Sequence, residues 1–334
     1  MSRVAVIVVN YNAGMMLRDC LSALDRQTVR PARVLVMDNG SGDGSIDECR
    51  PLFPWVEFHL LNANLGFARA NNLAIELVSD CEWVALLNPD AFAEPSWIEA
   101  FRRRVLQYPD TDAFASCMVS ANEAGVVDGA GDAYRVDGLA WPRFKGAGVA
   151  RLSDDPEEVF SPSAGAGFYR RSAVVGAGGF CERYFCYYED VDLGFRLRLR
   201  GSRCQFLPDA VVHHVGSAVA GKGSDFSVYH AHRNFVWTYF RNMPGLYAWF
   251  YLPAHLAANV ASVGLFIRKG QGRTIIRAKW DALRGLPQTL RERRRIQAER
   301  AVPPESVIGA MQRGNLLGSV YRLARRSLRM VPAD

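Results

Sequence analysis

Between residues 3 and 107 short apolar runs alternate with amphipathic stretches, and that alternation constrains the fold more than any other feature of the chain. Residues 3–9 (RVAVIVV), 33–37, 56–61 and 83–87 read as strands, and residues 15–27, 67–78 and 95–107 as helices. Pro95 suits a helix start, where its missing N–H leaves no bond unmade. Strands separated by single helices give an α/β fold, a mainly parallel sheet with helices on both faces. In such sheets ligands bind beyond the carboxyl ends of the strands. Three of those ends carry polar clusters: Asn10-Tyr11-Asn12, Asp38-Asn39 and Asn88-Pro89-Asp90.

Each cluster alone is also what a turn or a helix cap uses. Together they suit a nucleotide and its metal. One carboxylate accepts hydrogen bonds from a base or ribose, and a second neutralises a diphosphate through a divalent ion, Mg²⁺ or Mn²⁺. No GxxxxGK[ST] occurs, and Asn10-Tyr11-Asn12-Ala13-Gly14 stands where a GxGxxG would follow the first strand. Both absences argue against kinase, NTPase and dinucleotide-oxidoreductase chemistry. A nucleotidyltransferase would want a basic, Gly-rich phosphate loop at the same place.

Further on, Glu189-Asp190-Val191-Asp192 packs three carboxylates into four residues beside Tyr187 and Tyr188. An acidic helix start needs only one or two. Acids clustered at a cleft repel one another and raise a pKa toward general-base range. On a helix Asp192 is turned about 200° from Asp190. His213-His214 closes the strand-like run Ala210-Val211-Val212, and an imidazole there would complement Asp90. The residues alone leave open which histidine points inward.

These motifs, in order, resemble family-2 glycosyltransferases of the GT-A fold, in the rhamnosyltransferase-like and galactofuranosyltransferase-like subgroup. The residues that carry the resemblance are Val8-Val9-Asn10-Tyr11-Asn12, Asp38-Asn39-Gly40-Ser41, the run from Asn64 to Asn72, Leu86-Leu87-Asn88-Pro89-Asp90, and Gly178-Gly179-Phe180 through Leu193. The resemblance spans roughly residues 4–240 and implies an inverting, metal-dependent transfer of a sugar from a nucleotide-diphosphate donor. It implies that Tyr11, Asn12 and Asp38 line the nucleoside pocket, and that Asn64, Gly66, Arg69, Asn72 and Asn88 lie near the donor. Asp90 is the last acid of the family's D-x-D, and His213 matches the histidine that closes the metal site. Asp190 matches the catalytic base, with Glu189, Asp192 and Tyr188 toward the acceptor. dTDP-L-rhamnose is the donor the resemblance points to first, with UDP-galactofuranose, UDP-galactose and UDP-glucose as alternatives. The implied acceptor is a glycan on a polyprenyl diphosphate or at the cell surface. An inactive nucleotide-sugar-binding scaffold is the competing class, and Asp90, Asp190 and His213 together argue against it.

Charge separates this body from the C-terminal part of the chain. From Arg268 onward the chain has sixteen Arg and Lys against five Asp and Glu, and with +6 overall the first 267 residues carry −5. An acidic body argues against a nucleic-acid groove there. Residues 245–267 hold no formal charge, and basic helical segments at 275–300 and 316–329 follow. We expect a catalytic domain over residues 1–240 and a C-terminal helical region over 241–334. The latter lies on an anionic membrane surface, spans the membrane at 245–267, packs on the catalytic domain, or is a solvated basic helix or an oligomer contact. Seven Cys without a CxxC pair, and no signal-peptide pattern ahead of the first strand, place the expected enzyme in the cytoplasm, peripheral on the inner face of the membrane. Residues 120–165 read as loops with short strands, and 204–207 and 210–213 as two further strands.

Overall fold

A computed structural model of the chain describes residues 2–216 and 223–313. The elements up to residue 214 run β1 (Val4–Asn10), α1 (Met15–Asp25), β2 (Arg33–Asp38), α2 (Ser45–Leu52), β3 (Glu57–Leu60), α3 (Phe67–Leu77), β4 (Trp83–Leu87), β5 (Ala91–Ala93) and α4 (Trp97–Gln107). They continue with β6 (Thr111–Ser120), β7 (Val127–Ala130), β8 (Asp132–Tyr134), β9 (Ala140–Pro142), β10 (Glu157–Glu158), β11 (Ala166–Arg170), α5 (Arg171–Gly176), α6 (Glu189–Leu199) and β12 (Arg203–His214). The main sheet has the order β10-β12-β6-β11-β4-β1-β2-β3, with β5 on β12 and β7 on β6. β3, β2, β1 and β4 are mutually parallel, β12 is parallel to β6, and β11 lies antiparallel between β4 and β6.

The apolar runs build two cores because successive strand residues face opposite sides. Val4, Val6 and Val8 meet Leu17 and Leu21 of α1 and Trp97 and Phe101 of α4. Ala5, Ile7 and Val9 meet Ala68 and Ala74 of α3 and Leu193 and Leu197 of α6. All seven cysteines are free, and Cys20, Cys49, Cys81, Cys117 and Cys204 are buried.

The two strands expected at 204–207 and 210–213 are one. β12 runs on past a break in its pairing with β6: Leu207 lies opposite Ser116, and the next partners are Val211 and Cys117. Pro208 has no N–H for the ladder, so residues 208–210 bulge out. Asp209 in the bulge pairs with Arg103 at 2.5 Å and Arg104 at 3.4 Å.

Two compact units emerge, one of residues 1–133 and 141–222, the other of residues 134–140 and 223–334. The second unit contains α7 (Asp225–Asn242), α8 (Tyr247–Phe250), α9 (Leu252–Arg268), α10 (Gly272–Ala298) and α11 (Pro304–Gly309). Its division falls ahead of the expected residue 240 because α7 packs along α10. Trp237 donates its Nε1–H to the Ala282 carbonyl at 3.0 Å, and a Cβ at Gly285 would come within 2.5 Å of that indole. Residues 134–140 join through main-chain bonds of Tyr134 and Val136 with Gln312 and through His255, whose Nδ1 donates to the Asp137 carbonyl at 2.8 Å. The uncharged 245–267 stretch forms α8 and α9. Among the described residues no helix is long and apolar enough to cross a membrane. The helix expected at 316–329 lies outside the described residues.

Helix α6 passes so close to residue 161 that a Cβ on Gly194 would sit 2.2 Å from the Ser161 Cβ. Alanine is the better helix former by about 1 kcal/mol, but overpacking costs about 1–3 kcal/mol. Gly194→Ala should therefore lower the urea midpoint, and a raised midpoint would show that the crossing has slack.

Candidate active site

Residues at the carboxyl ends of β1 and β2 form the first part of the site. Parallel pairing sets Asn10 opposite Asp38. Asn10 is fully buried, and its amide donates to Asp38 Oδ1 at 2.9 Å, Ser41 Oγ at 3.0 Å and Ser45 Oγ at 3.1 Å. Ser41 N donates to the other Asp38 oxygen at 3.1 Å. Asp38 is thus an oriented carboxylate at a strand end. Tyr11 beside it is 38% exposed. Asn12 sits in the left-handed region, φ 51°, which asparagine tolerates. Its Oδ1 accepts from Gly42 N at 2.9 Å, closing the 38–44 loop over the strand ends.

The 64–72 segment is engaged differently from expectation. Asn64 Oδ1 accepts from Gly66 N at 3.0 Å. Gly66 has φ 84°, and a Cβ there would strike the Phe185 ring at 2.6 Å, so only glycine fits. The α3 N-terminus is not left for a diphosphate alone, because Ala68 N already donates to the Phe185 carbonyl at 3.1 Å. Asn72 is a correction to the donor-side set. Its amide donates to Phe180 O at 2.9 Å and accepts from Phe180 N at 2.8 Å, so it braces the 180–185 loop. Arg69 is exposed, 3.9 Å from Glu182.

At the end of β4, Asp90 is buried and leads into β5, which pairs antiparallel with the end of β12. His214 lies opposite Ala91 and His213 opposite Phe92. Strand alternation sends the two rings to opposite faces. The inward histidine is therefore His214, correcting His213: His214 Nε2 is 3.3 Å from Asp90 Oδ1, while His213 Nε2 is 3.0 Å from Glu94. His214 Nδ1 is held by Asp128 of β7 at 2.7 Å. Burial lowers the His214 pKa, but the Asp128 hydrogen bond and the Asp90 charge outweigh it and push it up to about 9. Burial raises Asp128, and its hydrogen bonds to His214 and Lys145 bring it down to about 2.

These residues fit a divalent ion. His214 Nε2 is buried with only the 3.3 Å contact to the Asp90 carboxylate, on a ring whose other nitrogen a second carboxylate orients. Among the described residues no group of three or more His, Cys, Asp or Glu could hold an ion by itself. Asp90 and His214 would thus leave coordination positions for the oxygens of a bound ligand.

The acidic cluster opens α6. Phe185, Tyr187 and Tyr188 ahead of it all have φ between 65° and 69°, each a strain of about 1–3 kcal/mol for such side chains. Asp192 is 0% exposed and corrects the acceptor-side set. Arg196 grips it through Nε at 2.9 Å and Nη2 at 2.7 Å, and the Tyr184 hydroxyl donates to it at 3.3 Å. Glu189 is buried, and its Oε2 has no partner. Only Asp190 of the three is partly exposed. Ala164 N donates to Asp190 Oδ2 at 3.1 Å, and the neighbouring Gly165 O accepts from Asn88 N at 2.9 Å. One short loop so ties the acid cluster to the Asn88-Pro89-Asp90 strand end. A fourth acid, Asp132 of β8, is buried near Asp190. Sequence reasoning missed it, since nothing in the Gly-Asp-Ala stretch around it marks it as part of a site. Burial pushes Asp132 and Glu189 well above the carboxylate range, and the Asp190 charge pushes both further. Burial raises Asp190 too, against the pull of the Ala164 and Val191 amides.

The sequence pattern described as "Glycosyl transferase family 2" matches residues 5–175. The N-acetylglucosaminyl-diphospho-decaprenol L-rhamnosyltransferase of Mycobacterium tuberculosis is 33% identical over 231 residues, 63% of this chain and 75% of that protein. The O-antigen chain rhamnosyltransferase RfbN of Salmonella typhimurium is 24% identical over 214 residues, 64% of this chain and 66% of that one. Among solved structures, the mannosyltransferase PcManGT from Pyrobaculum calidifontis, in complex with GDP-Man and Mn²⁺, superposes with a TM-score of 0.53 at 19% identity. That match covers 91% of this chain and 85% of the other and shows the fold.

The raised acids set a sign for stability against pH. A carboxyl whose pKa is higher folded than unfolded keeps a proton that the unfolded chain releases. Its contribution is complete below about pH 4 and is lost as pH rises toward the folded value, at about 1.4 kcal/mol per unit of difference. Asp132→Asn removes one such group and keeps a neutral side chain beside Asp190. Its melting temperature should fall less steeply than wild type between pH 5 and 8, and an unchanged slope would mean that Asp132 is not protonated in the fold.

Proposed function

The chain belongs to glycosyltransferase family 2 and has the GT-A fold, and from that premise we propose that it is an inverting L-rhamnosyltransferase using dTDP-L-rhamnose. Its proposed acceptor is a sugar carried on a polyprenyl diphosphate at the cytoplasmic face of a membrane. The observation that carries this reading is the bridge through Ala164 and Gly165, which couples one partly exposed acid, Asp190, to the β4 end bearing Asp90, which His214 of β12 faces. The relative from Mycobacterium tuberculosis, named for an acceptor of this kind, supports the choice of sugar and acceptor.

In this mechanism the base and ribose sit over the β1 and β2 ends, where Asp38 is held by Asn10 and Ser41. Asp90 and His214 would hold a divalent ion, which would supply positive charge to the leaving diphosphate. Asp190 takes the acceptor hydroxyl proton as that oxygen bonds to the anomeric carbon. The bond from that carbon to the diphosphate oxygen breaks on the opposite face, and the configuration inverts. A base pKa raised toward the working pH suits the task. Glu189, held protonated by burial, donates a hydrogen bond to the acceptor and leaves Asp190 as the anion of the pair. The leaving group needs no proton, so no second acid is required of the site.

The test is turnover with dTDP-L-rhamnose and a GlcNAc-diphospho-polyprenol acceptor, set against UDP-galactofuranose, UDP-galactose and UDP-glucose. Asp190→Asn should lose about 10²–10⁴-fold in turnover with donor affinity near wild type. Near-normal turnover in this variant would assign the proton to another group. For the ion, Asp128→Asn should weaken Mn²⁺-dependent donor binding about 10–100-fold and His214→Ala more. His213→Ala should leave it unchanged, and the reverse order of the two histidines would undo the assignment.

A further inference from the structure

Helix α9 is built inside out. Its buried positions are polar: His255, 1% exposed, and Ser262, 8% exposed, with Asn259 between them. Each of the three makes one hydrogen bond within the protein. His255 donates to the Asp137 carbonyl, Asn259 Nδ2 to His255 O at 2.8 Å, and Ser262 Oγ to Asn259 O at 2.7 Å. The exposed positions from 253 to 267 are Pro253, Leu256, Val260, Gly264 and Ile267, all apolar and spaced three or four apart. That spacing makes a single stripe along the helix. A helix facing water has the opposite arrangement.

The neighbouring α10 also carries an exposed apolar stripe, with charge added. Ile275, Ala278, Ala282 and Thr289 are buried. Exposed Ile276, Trp280, Leu283, Pro287 and Leu290 form a second apolar stripe, about 21 Å long at 1.5 Å per residue. At about 100° per residue, exposed Arg273, Arg277, Arg284 and Arg291 fall in a row along one flank of it. No exposed position between 273 and 291 is Asp or Glu, and the half-buried Asp281 makes only long contacts to the row, 3.8 Å to Arg277 and 4.0 Å to Arg284. On α8, Trp249 and Phe250 are 59% and 74% exposed.

We propose that the apolar stripes of α9 and α10 form a monotopic insertion face, lying in the plane of an anionic bilayer with the arginine row on lipid phosphates. An interfacial helix combines these features: a continuous apolar face, tryptophan at headgroup depth and flanking arginine. Neither helix is long and apolar enough to span, so the face lies in the interface. A second copy of the chain would present the same patch to itself and offer no acidic row to the arginines. The proposal deepens the lipid-borne acceptor reading, on which it rests for a bilayer as the partner.

Full-length protein and its variants are sedimented with vesicles of phosphatidylcholine alone or with phosphatidylglycerol, and checked by light scattering. Wild type should bind the anionic vesicles. Leu256→Ser/Val260→Ser and Trp280→Ser/Leu283→Ser should each bind about tenfold more weakly or worse. Arg277→Glu/Arg284→Glu should remove the preference for anionic lipid. All six positions are exposed, and circular dichroism confirms that the variants are folded. Vesicle binding unaffected by the stripe changes would overturn the proposal. So would a wild-type dimer that the same changes dissociate. Activity separates the two readings. The stripe variants should keep turnover on a short-chain, water-soluble acceptor and lose it on a long-chain acceptor in vesicles. Stripe-dependent vesicle binding by an enzyme that transfers no sugar would sink the transferase reading and leave the insertion face standing.

Discussion

Two backbone groups next to each other hold the candidate site together: Ala164 N, given to Asp190, and Gly165 O, given to Asn88. Main-chain polar groups that leave water need partners, and here the partners come from the two halves of the chemistry. The bridge exists because β11 runs antiparallel to β4, with Ala166 opposite Leu87 directly after the loop. The carboxyl end of β4 therefore meets the beginning of β11. With the neighbouring strand parallel instead, the loop would lie at the far end of the sheet and the acids of α6 would have no fixed distance to Asp90.

The acids around this bridge differ in how their charge is compensated. Asp192 leaves water completely and is neutralised by a two-pronged Arg196 contact, which also fixes α6 to the Ala177 carbonyl. Glu189 and Asp132 leave water without a cation in that position, and burial pushes their pKa values well up instead. Desolvation of a bare carboxylate is what makes the difference. Residues one to three apart in sequence thus meet different compensation: Arg196 for Asp192, none for Glu189, and two backbone amides for Asp190.

The sheet was legible in the sequence because burial on both faces leaves continuous apolar runs, and the strand ends were legible because polar clusters interrupt them. Asp38 and Asp90 stand where that reading puts them in the fold. Turning Asp192 away from Asp190 was also readable, since helix geometry is local. The failures are non-local. Asn72 looks like a ligand in its motif, and only the return of the chain at Phe180 shows where its amide goes. Asp132 lies some sixty residues from the acids it joins. The reversed polarity of α9 was invisible because hydropathy counts residues and does not say which side meets the protein.

His213 and His214 differ by one step along β12, and the bulge at 208–210 decides between them. On β12 the chain advances four residues from Leu207 to Val211 while β6 advances one from Ser116 to Cys117. The surplus is odd, so beyond the bulge every side chain has swapped its phase relative to the partner strand. The bulge acts as a parity bit. With one residue fewer, the chain either shortens the bulge and keeps its pairing or slips by one, and only the slip turns the other histidine to the carboxylate. The pairing of β12 with Ala91 and Ser120 therefore names the inward residue, which the His-His pair alone cannot.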